Sequence, residues 1–212
     1  MTYPLVPWLL RGYAYQSVQL LPNNQVRSLI PDAFEIVSVF PNYTLGGVYL
    51  SSYVKGSILE YNELIVIAGL VNYAGKIGAW VSHIYVDNPI SVAGGREIWG
   101  LPKELAQFTW EQNQYHYCKV QQGDRLLCTF RSDWQLPLWR QPIAGQAFST
   151  LDHRVLLFAG QASANFAIAG AELNVPDNSP FFDMGLTTPF LVMACNALEM
   201  VVHAPQTLAQ ST

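Results

Sequence analysis

The sequence has few charged residues and no cluster of basic ones. Asp, Glu, Lys and Arg make up 12% of the 212 residues, against roughly 25% in a typical globular protein. The formal net charge is −4, and Lys and Arg nowhere form a run. Because proteins that bind nucleic acids usually carry a basic patch, we expect no nucleic-acid partner.

Long apolar runs are also missing. The longest apolar-rich segment, Phe190–Val202, contains Asn196 and Glu199, and it is shorter than the ~20 residues that a membrane helix needs. The stretch Pro4–Leu10 is interrupted by proline and lacks the basic region and cleavage site of a signal peptide. We therefore expect a soluble, cytoplasmic protein without a membrane partner.

The three cysteines are too few for a disulfide framework. Cys118 and Cys128 are equidistant from Gly123 in the predicted hairpin turn Gln121–Asp124, so they could face each other across two strands. In the cytoplasm we expect both to be reduced, half-buried thiols.

Motifs of several common site classes are absent. The histidines have no spacing typical of a zinc site, so we expect no metal. The sequence has no Gly-x-Ser-x-Gly elbow, no dinucleotide fingerprint and no phosphate-binding loop. The four histidines are His83, His116, His153 and His203.

Hydrophobic residues, by contrast, make up 50% of the chain. This is more apolar material than a sizeable core needs, and few charged residues are available to cover the surface. We expect an enclosed apolar cavity and apolar contacts between subunits, hence a homo-oligomer. Without repeats or an evident linker, residues 1–212 are predicted to form a single domain.

Short β segments divided by Gly, Pro, Asn and Asp dominate the chain and predict a mainly β, antiparallel fold with few short helices. The predicted strands are Arg11–Leu21, Phe34–Phe40, Gly46–Val54, Leu59–Val71, Ile77–Val86, Phe108–Glu111, Tyr115–Val120, Arg125–Arg131 and Val155–Phe158.

Three further segments have less regular patterns. Asn23 or Asn24 is predicted to cap a short helix that continues to Ser28. The Ala-rich segment Gln161–Gly170 suits a strand of small residues. Leu186–His203 favours a strand, with a helix as the alternative, because Ala, Leu and Met also suit helices.

One segment breaks the β pattern, namely Ile90–Lys103 with the sequence ISVAGGREIWGLPK. A glycine pair, a charged pair, an aromatic residue and a Gly-x-Pro-Lys turn lie within it. Pro102 restricts its own φ angle and Gly100 permits a tight backbone, so the direction of Lys103 should be rigidly set. We expect this segment to contain both a structural turn and functional residues.

The apolar neighbours of Lys103 suggest a chemical role. Burial disfavours the charged form of a lysine, so Lys103 should present a free amine near neutral pH. Such an amine attacks ketones to give a protonated imine, which accepts electrons when CO2 is lost or an adjacent carbon–carbon bond breaks. The alternative is a surface lysine that follows a proline turn and pairs with Glu97 or Glu104.

The segment ISVAGGREIWGLPKEL resembles the signature of the acetoacetate decarboxylase family. The resemblance extends over roughly residues 10–110 and fades towards the C-terminus. Its further matches are Val86-Asp87-Asn88, Tyr61-Asn62-Glu63, Leu29-Ile30-Pro31 and Phe34-Glu35-Ile36.

The resemblance implies a fold and a set of site residues. The fold is an antiparallel, closed, cone-shaped β-barrel assembled into homo-oligomers. Lys103 matches the Schiff-base lysine, and Glu63 matches a carboxylate that positions substrate or moves a proton. The expected substrate is a small carbonyl compound or keto acid, and no cofactor is expected.

The remaining site residues have supporting roles. Arg11 is aligned with an active-site arginine of the family. Arg96 and Glu97 match its Gly-Arg-Glu run and are expected to be partly structural. Trp99 either contacts substrate or packs in the core, and Glu199 either lines the cavity or faces solvent. The predicted substrate-binding residues are Arg11, Arg96, Trp99 and Glu199, and the supporting residues are Glu97, Gly100 and Pro102.

One position departs from the family pattern. The namesake of the family has a second lysine directly after the Schiff-base lysine, where this chain has Glu104. Adjacent side chains of a strand point to opposite faces, so Glu104 should face away from the pocket. Desolvation alone would then have to activate Lys103, which weakens the case for acetoacetate itself as the substrate.

Three functions remain from the sequence. The leading hypothesis is a cofactor-free lyase that decarboxylates a β-keto acid through an imine on Lys103. The second is a Schiff-base aldolase or dehydratase that acts on a larger carbonyl compound, with Glu63 as acid or base. The third is a non-catalytic barrel that binds an apolar small molecule, with Lys103 as a counter-ion.

Overall fold

The computed structural model describes residues 2–112, 115–186 and 189–210. The fold is mainly β with two short α-helices within these ranges, as the sequence predicts. The strands are β1 (Trp8–Pro22), β2 (Glu35–Ile36), β3 (Tyr43–Tyr53), β4 (Tyr61–Tyr73), β5 (Lys76–Val86), β6 (Lys103–Leu105), β7 (Gln107–Gln112), β8 (His116–Gln122), β9 (Arg125–Leu151), β10 (Arg154–Asn174), β11 (Leu191–Val202) and β12 (Gln206–Gln210). The α-helices are α1 (Asn23–Val26) and α2 (Pro89–Trp99), and short 3-10 helices span Arg27–Leu29 and Phe182–Met184.

The strands have two apolar faces, which explains their rich content of branched and aromatic residues. On β4, Leu64 and Val66 are fully buried in the larger core cluster. The alternating residues Glu63, Ile65 and Ile67 point to the opposite side, where they line a cavity. The period of two along a strand therefore separates the core from the cavity.

The strand pairings follow one another in a continuous series. The strands β11, β1, β3, β4 and β5 pair in that order, all antiparallel. The strand β5 pairs with β9, which pairs with β10, and β10 pairs with β11. The series thus returns to the strand where it started, around the cavity.

Two pairings are parallel, so the prediction of a wholly antiparallel sheet was wrong. The strand β6 runs parallel to β5, and a short stretch of β9 also pairs with β5 in parallel. A parallel neighbour requires a crossover of a dozen or more residues. Helix α2 supplies that crossover between β5 and β6, and the sequence reading did not predict this helix.

The strands β9 and β10 are far longer than predicted, with 27 and 21 residues. The predicted ends were placed at glycine, proline and polar residues, but the pairing continues through them. Pro137 and Pro142 lie opposite Ala167 and Ser163. Register shifts between Asn165 and Ala167 and at a second site accommodate the irregularity.

Several local predictions differ from the structure. The strand predicted at Phe34–Phe40 shrinks to β2. Helix α1 has Pro22 at its N-cap without a side-chain hydrogen bond, and the Asn23 side chain instead donates to Ser38 Oγ at 2.8 Å. The C-terminal segment forms strand β11 rather than a helix, and its residues 187 and 188 lie outside the described residues.

The cysteines Cys118 and Cys128 are free and buried, but they do not face each other. Cys118 lies opposite Phe130, and Cys128 lies opposite Val120. The prediction placed the centre of the hairpin at Gly123, but the centre lies between Gly123 and Asp124. A register shift after Val120 moves the two cysteines further out of register. Burial raises the pKa of the Cys128 thiol from 9.0 to about 12.

No helix among the described residues combines the length and the hydropathy required to span a membrane.

The buried thiols predict a loss of stability at alkaline pH. The unfolded chain releases the Cys128 proton above about pH 9, whereas the folded chain retains it until about pH 12. The free energy of unfolding should therefore fall with rising pH in this window, by up to roughly 1.4 kcal/mol per pH unit for each such thiol. Chemical denaturation at pH 8, 9 and 10 measures the slope. Cys128→Ala should make the slope shallower, and an identical slope in the variant would contradict the assignment.

Candidate active site

Helix α2 carries the backbone features that place Lys103. Pro89 occupies its first turn, and the Asn88 side chain accepts hydrogen bonds from the backbone N–H groups of Ile90 and Ser91 at 2.9 and 3.4 Å. These are favourable residues for a helix start, because Asn caps free N–H groups and Pro lacks one. The start of the helix therefore fixes Ser91 at the edge of the site.

The glycine pair lets helix α2 lie close to the site. A Cβ atom on Gly95 would lie 2.4 Å from Lys103 Cδ, and one on Gly94 would lie 2.6 Å from the Trp8 ring. Real Cβ atoms essentially never approach other atoms so closely. The lysine stem and the indole ring therefore occupy the space that two side chains would otherwise fill.

The turn after the helix directs Lys103 inwards. Gly100 ends the helix with φ 62°, and its N–H and that of Leu101 donate to the carbonyls of Arg96 and Gly95, each at 3.1 Å. The N–H of Lys103 then donates to the Leu101 carbonyl at 2.8 Å. This tight turn is centred on the proline, so both predicted backbone features lie where the lysine changes direction.

The Lys103 side chain is buried and ion-paired. Its Nζ lies 2.7 Å from Glu63 Oε1 and donates to Ser91 Oγ at 3.0 Å. Lys103 and Glu63 are each only 4% exposed. The amine also lies 5.1 Å from the Tyr61 ring centre and 5.8 Å from that of Trp8, within the range of cation–π attraction.

A group of tyrosines surrounds the second oxygen of Glu63. The Tyr53 hydroxyl lies 3.2 Å from Glu63 Oε2 and 3.4 Å from the Tyr49 hydroxyl. Burial raises the pKa of Tyr53 and of Tyr61 well above 10.0, and nearby Glu63 adds to the effect. Both phenols therefore remain protonated at neutral pH and can donate hydrogen bonds.

The pair lies in the wall of a cavity of about 600 Å³. Side chains from seven strands, β1, β3, β4, β5, β9, β10 and β11, form most of the wall, and most of them are apolar. Among the described residues, Lys103 and Glu63 are the charged groups that line it, with no arginine beside them. An arrangement of one buried amine and one carboxylate in an apolar chamber suits imine chemistry on a carbonyl compound.

Trp99 lines the cavity, whereas Arg96 lies outside its lining. The Trp99 ring packs edge-on against Trp8 at 4.9 Å and donates to the His203 carbonyl at 2.9 Å. Arg96 is exposed and donates from Nε to the Lys103 carbonyl at 2.7 Å. The structure thus gives Arg96 a positioning contact outside the cavity lining, and its substrate contact stays a prediction.

Arg11 and Glu199 are brought together, but away from the cavity lining. They lie opposite each other on β1 and β11 and form an ion pair at 3.6 Å, with side chains 61% and 54% exposed. Their neighbours Leu10 and Leu198 line the cavity. Because successive side chains of a strand alternate, the two charged groups point outwards. Their predicted contact with substrate has no support in this arrangement.

The other predicted residues also face outwards. Glu97 is exposed and accepts a hydrogen bond from the Tyr3 hydroxyl at 2.9 Å. Glu104 accepts one from Gln122 at 2.7 Å and points away from the cavity, as the strand alternation predicts. Pro102 is exposed in the turn before Lys103.

Sequence reasoning missed Ser91, Tyr49, Tyr53 and Trp8. Ser91 lies inside the signature segment, yet serine is too common to stand out there. Tyr53 lies opposite Tyr61 in the pairing of β3 with β4, and such a register is not visible before the strands are paired. Among the described residues, no group of three His, Cys, Asp or Glu side chains is placed to hold a metal ion.

Comparisons with known proteins give the family. Residues 19–158 match the acetoacetate decarboxylase (ADC) family, which is more than half of the chain. The protein NEOXANTHIN-DEFICIENT 1 from Arabidopsis thaliana is 35% identical over 107 residues, which cover 50% of this chain and 38% of that protein. An acetoacetate decarboxylase from Burkholderia ambifaria is 30% identical over 93 residues, which cover 44% and 36%. The matched segments thus span less than half of these relatives.

Solved structures share the fold over nearly the whole chain. An acetoacetate decarboxylase from Legionella pneumophila superposes with a TM-score of 0.79 at 14% identity, covering 99% of this chain and 90% of that one. The enduracididine biosynthesis enzyme MppR, complexed with a condensation product of pyruvate and imidazole 4-carboxaldehyde, gives 0.68 at 14% identity, with coverage of 100% and 92%. Together with the match over residues 19–158, this assigns the chain to the acetoacetate decarboxylase family.

Proposed function

We propose that the protein is a cofactor-free lyase in which Lys103 forms an imine with a carbonyl substrate, and an adjacent carbon–carbon bond then breaks. The observation that carries this proposal is the buried pair of Lys103 and Glu63, 2.7 Å apart in the wall of an apolar cavity. Membership of the acetoacetate decarboxylase family supports imine chemistry in general.

Glu63 provides a route by which the amine loses its proton. Keeping two charges buried costs several kcal/mol for each ion before their attraction compensates. Transfer of the proton from Lys103 to Glu63 turns both into neutral, hydrogen-bonded groups at the same distance. We infer that this transfer supplies the free amine when a carbonyl group enters the cavity. The tyrosine hydroxyl beside Glu63 Oε2 can hydrogen-bond the carboxyl group in either state.

The same proton then serves the formation of the imine. The Lys103 amine adds to the carbonyl carbon, and the carbonyl oxygen becomes a hydroxyl group after proton transfer from nitrogen. The Glu63 carboxylic acid protonates that hydroxyl, which leaves as water. The products are a cationic iminium and the Glu63 carboxylate, so the pair is again one cation beside one anion.

With a β-keto acid, the iminium accepts the electron pair of the breaking bond. The bond to the carboxylate carbon breaks, CO2 leaves as a neutral molecule, and an enamine remains on Lys103. An apolar cavity solvates a carboxylate poorly, which favours its conversion to CO2. A proton then adds to the enamine carbon, and water hydrolyses the resulting iminium to release the ketone and restore Lys103.

A second candidate reaction is the aldol cleavage of a neutral β-hydroxy carbonyl compound. Two features favour it, namely the carboxylate of Glu63 beside the amine and the absence of an arginine among the described residues that line the cavity. Glu63 would take the proton of the β-hydroxyl group, the carbon–carbon bond would break towards the iminium, and an aldehyde or ketone would leave. No CO2 is released in this reaction, so product analysis distinguishes the two.

We also propose that the ring of strand pairings forms a closed, cone-shaped barrel and that the chain assembles into homo-oligomers. The series of pairings from β1 through β11 supports the first proposal. Exposed apolar residues on the long strand β9 support the second, because large exposed apolar side chains are typical of contact surfaces. These residues are Trp134, Leu136 and Trp139.

Borohydride trapping tests the imine directly. Incubation with acetoacetate and borohydride should add one reduced ketone adduct to the intact mass, and peptide mapping should place it on Lys103. Lys103→Ala should abolish the adduct, whereas Lys76→Ala, which removes an exposed lysine, should leave it unchanged. A folded wild-type protein without any adduct, or an adduct that persists in Lys103→Ala, would overturn the proposal.

Glu63→Gln tests the proton transfer. The amide retains the size of the side chain but can neither accept the proton from Lys103 nor return it. The rate of acetoacetate turnover should fall by a factor of at least about a hundred. Glu104→Gln is the matched control, because its carboxylate faces away from the cavity, and it should retain the wild-type rate. Equal rates for Glu63→Gln and Glu104→Gln would exclude Glu63 as the proton carrier.

Gly95→Ala tests the placement of the lysine. The new methyl group would overlap with Lys103 Cδ and displace Nζ from Glu63. Alanine is favoured over glycine in helices by roughly 1 kcal/mol, which offsets part of the crowding. We expect imine trapping to slow at least tenfold while the free energy of unfolding changes little. A variant that traps at the wild-type rate would show that this close contact does not position the amine.

A further inference from the structure

We propose that the natural substrate is an aliphatic carbonyl compound with a long apolar chain, which extends from Lys103 along the cavity towards the Ile67 end. This inference rests on the proposed imine chemistry of Lys103 and specifies the substrate on which it acts. Its basis is the distribution of polar groups, the length and the exposure of the cavity wall.

The charged groups and the hydroxyl groups at the cavity are concentrated at one end, and the other polar side chains of the described wall are Gln16, Gln141 and Gln146. Lys103 and Glu63 lie at that one end, with the hydroxyl groups of Tyr53, Tyr49 and Ser91 around them. This end can bind a carbonyl oxygen and the groups next to it. It is also the deep end, because Lys103 and Glu63 are nearly inaccessible to solvent.

The wall beyond the pair is predominantly apolar. On β4, the residues after Glu63 that face the cavity are Ile65 and Ile67, and Met193 lines it from β11. A strand rises about 3.3 Å per residue, so Ile67 lies roughly 13 Å along β4 from Glu63. This distance matches an extended hydrocarbon chain and greatly exceeds the length of a four-carbon keto acid.

The cavity volume supports the same conclusion. At about 600 Å³, the cavity lies within the usual range of roughly 300–1,000 Å³ for sites that bind drug-sized ligands. A four-carbon keto acid would leave most of this space to water against apolar walls. A long chain would instead displace that water and contribute binding free energy through the hydrophobic effect.

Exposure increases along β4 from Glu63 to Ile65 and Ile67, and we place the entrance of the cavity on that side. Glu63 is buried, whereas Ile65 and Ile67 are only partly buried. The β9 residues 141–146 line the cavity and are exposed, and Ile143 among them is 54% exposed. The carbonyl group would therefore enter first, and the apolar chain would follow and remain along the wall.

The test compares two methyl ketones that share the reacting group. Methyl ethyl ketone and methyl hexyl ketone are titrated against the wild-type protein in the presence of cyanoborohydride, and the adduct is measured by intact mass. The longer ketone has four more methylene groups, each worth roughly fourfold in affinity when buried. It should reach half-maximal trapping at a concentration on the order of a hundredfold lower. Equal half-saturating concentrations would overturn the inference and leave the imine chemistry intact.

A variant locates the chain in the cavity. Ile67→Phe places a phenyl ring across the far end and should raise the half-saturating concentration of methyl decyl ketone, whose chain is long enough to reach Ile67, at least tenfold more than that of methyl ethyl ketone. Ile77→Phe makes the same change at an exposed position that does not line the cavity, and it should affect neither ketone. An equal effect of Ile67→Phe on both ketones would contradict the proposed path.

Decanol binding separates failure of the substrate class from failure of the imine chemistry. Decanol has the apolar chain without a carbonyl group, and its binding can be followed by the fluorescence of Trp8 and Trp99 in the cavity wall. If decanol binds to the wild type and Ile67→Phe weakens that binding, the apolar path is supported even where no ketone is trapped. If decanol fails to bind, the inference is overturned whatever the trapping experiments give.

Discussion

The structure depends on one buried interaction, the 2.7 Å pair between Lys103 and Glu63. Two ions in a dry interior are tolerated only when they contact each other and their remaining polar atoms find partners. Here Ser91 binds the amine and Tyr53 lies beside the carboxylate. The surrounding fold therefore has to deliver groups from a helix, a turn and two strands to one point.

The local sequence around α2 meets this requirement with glycines, which have no side chain and leave space for neighbouring groups. Gly94 and Gly95 leave space for Trp8 and for the stem of Lys103. Gly100 then turns the chain out of the helix, and Arg96 holds the Lys103 carbonyl from outside. The result is an amine held by its backbone and by its stem, with its nitrogen beside Glu63 in the cavity wall.

Sequence patterns were sufficient for the parts of the site that depend on local chemistry. The apolar neighbours of Lys103, the turn residues and the outward direction of Glu104 follow from residue types and strand alternation. The family resemblance supplied Glu63, 40 residues away in sequence from its partner. Arg11 shows the limit of sequence-based prediction. A shift of one residue in the alignment moves a strand side chain from the cavity face to the solvent face, and the sequence alone does not fix that position.

The fold was predicted with similar limits. Alternation identified most strands, but the glycine pair within α2 hid a helix, since glycine and proline usually mark turns. Helix α2 is stable there because its caps and its packing against Trp8 outweigh the low helix propensity of glycine. The length of β9 and β10 depends on pairing between two strands, and each strand alone contains residues that would end it.

The central claim is that Lys103 forms and hydrolyses an imine within the cavity, and oxygen exchange tests it most directly. Each cycle of imine formation and hydrolysis replaces the carbonyl oxygen of a ketone with oxygen from water. In water enriched with heavy oxygen, the wild-type protein should therefore accelerate label uptake into methyl hexyl ketone, and Lys103→Ala should not. Label uptake at the uncatalysed rate with the wild type, or equal acceleration by both proteins, would contradict the account.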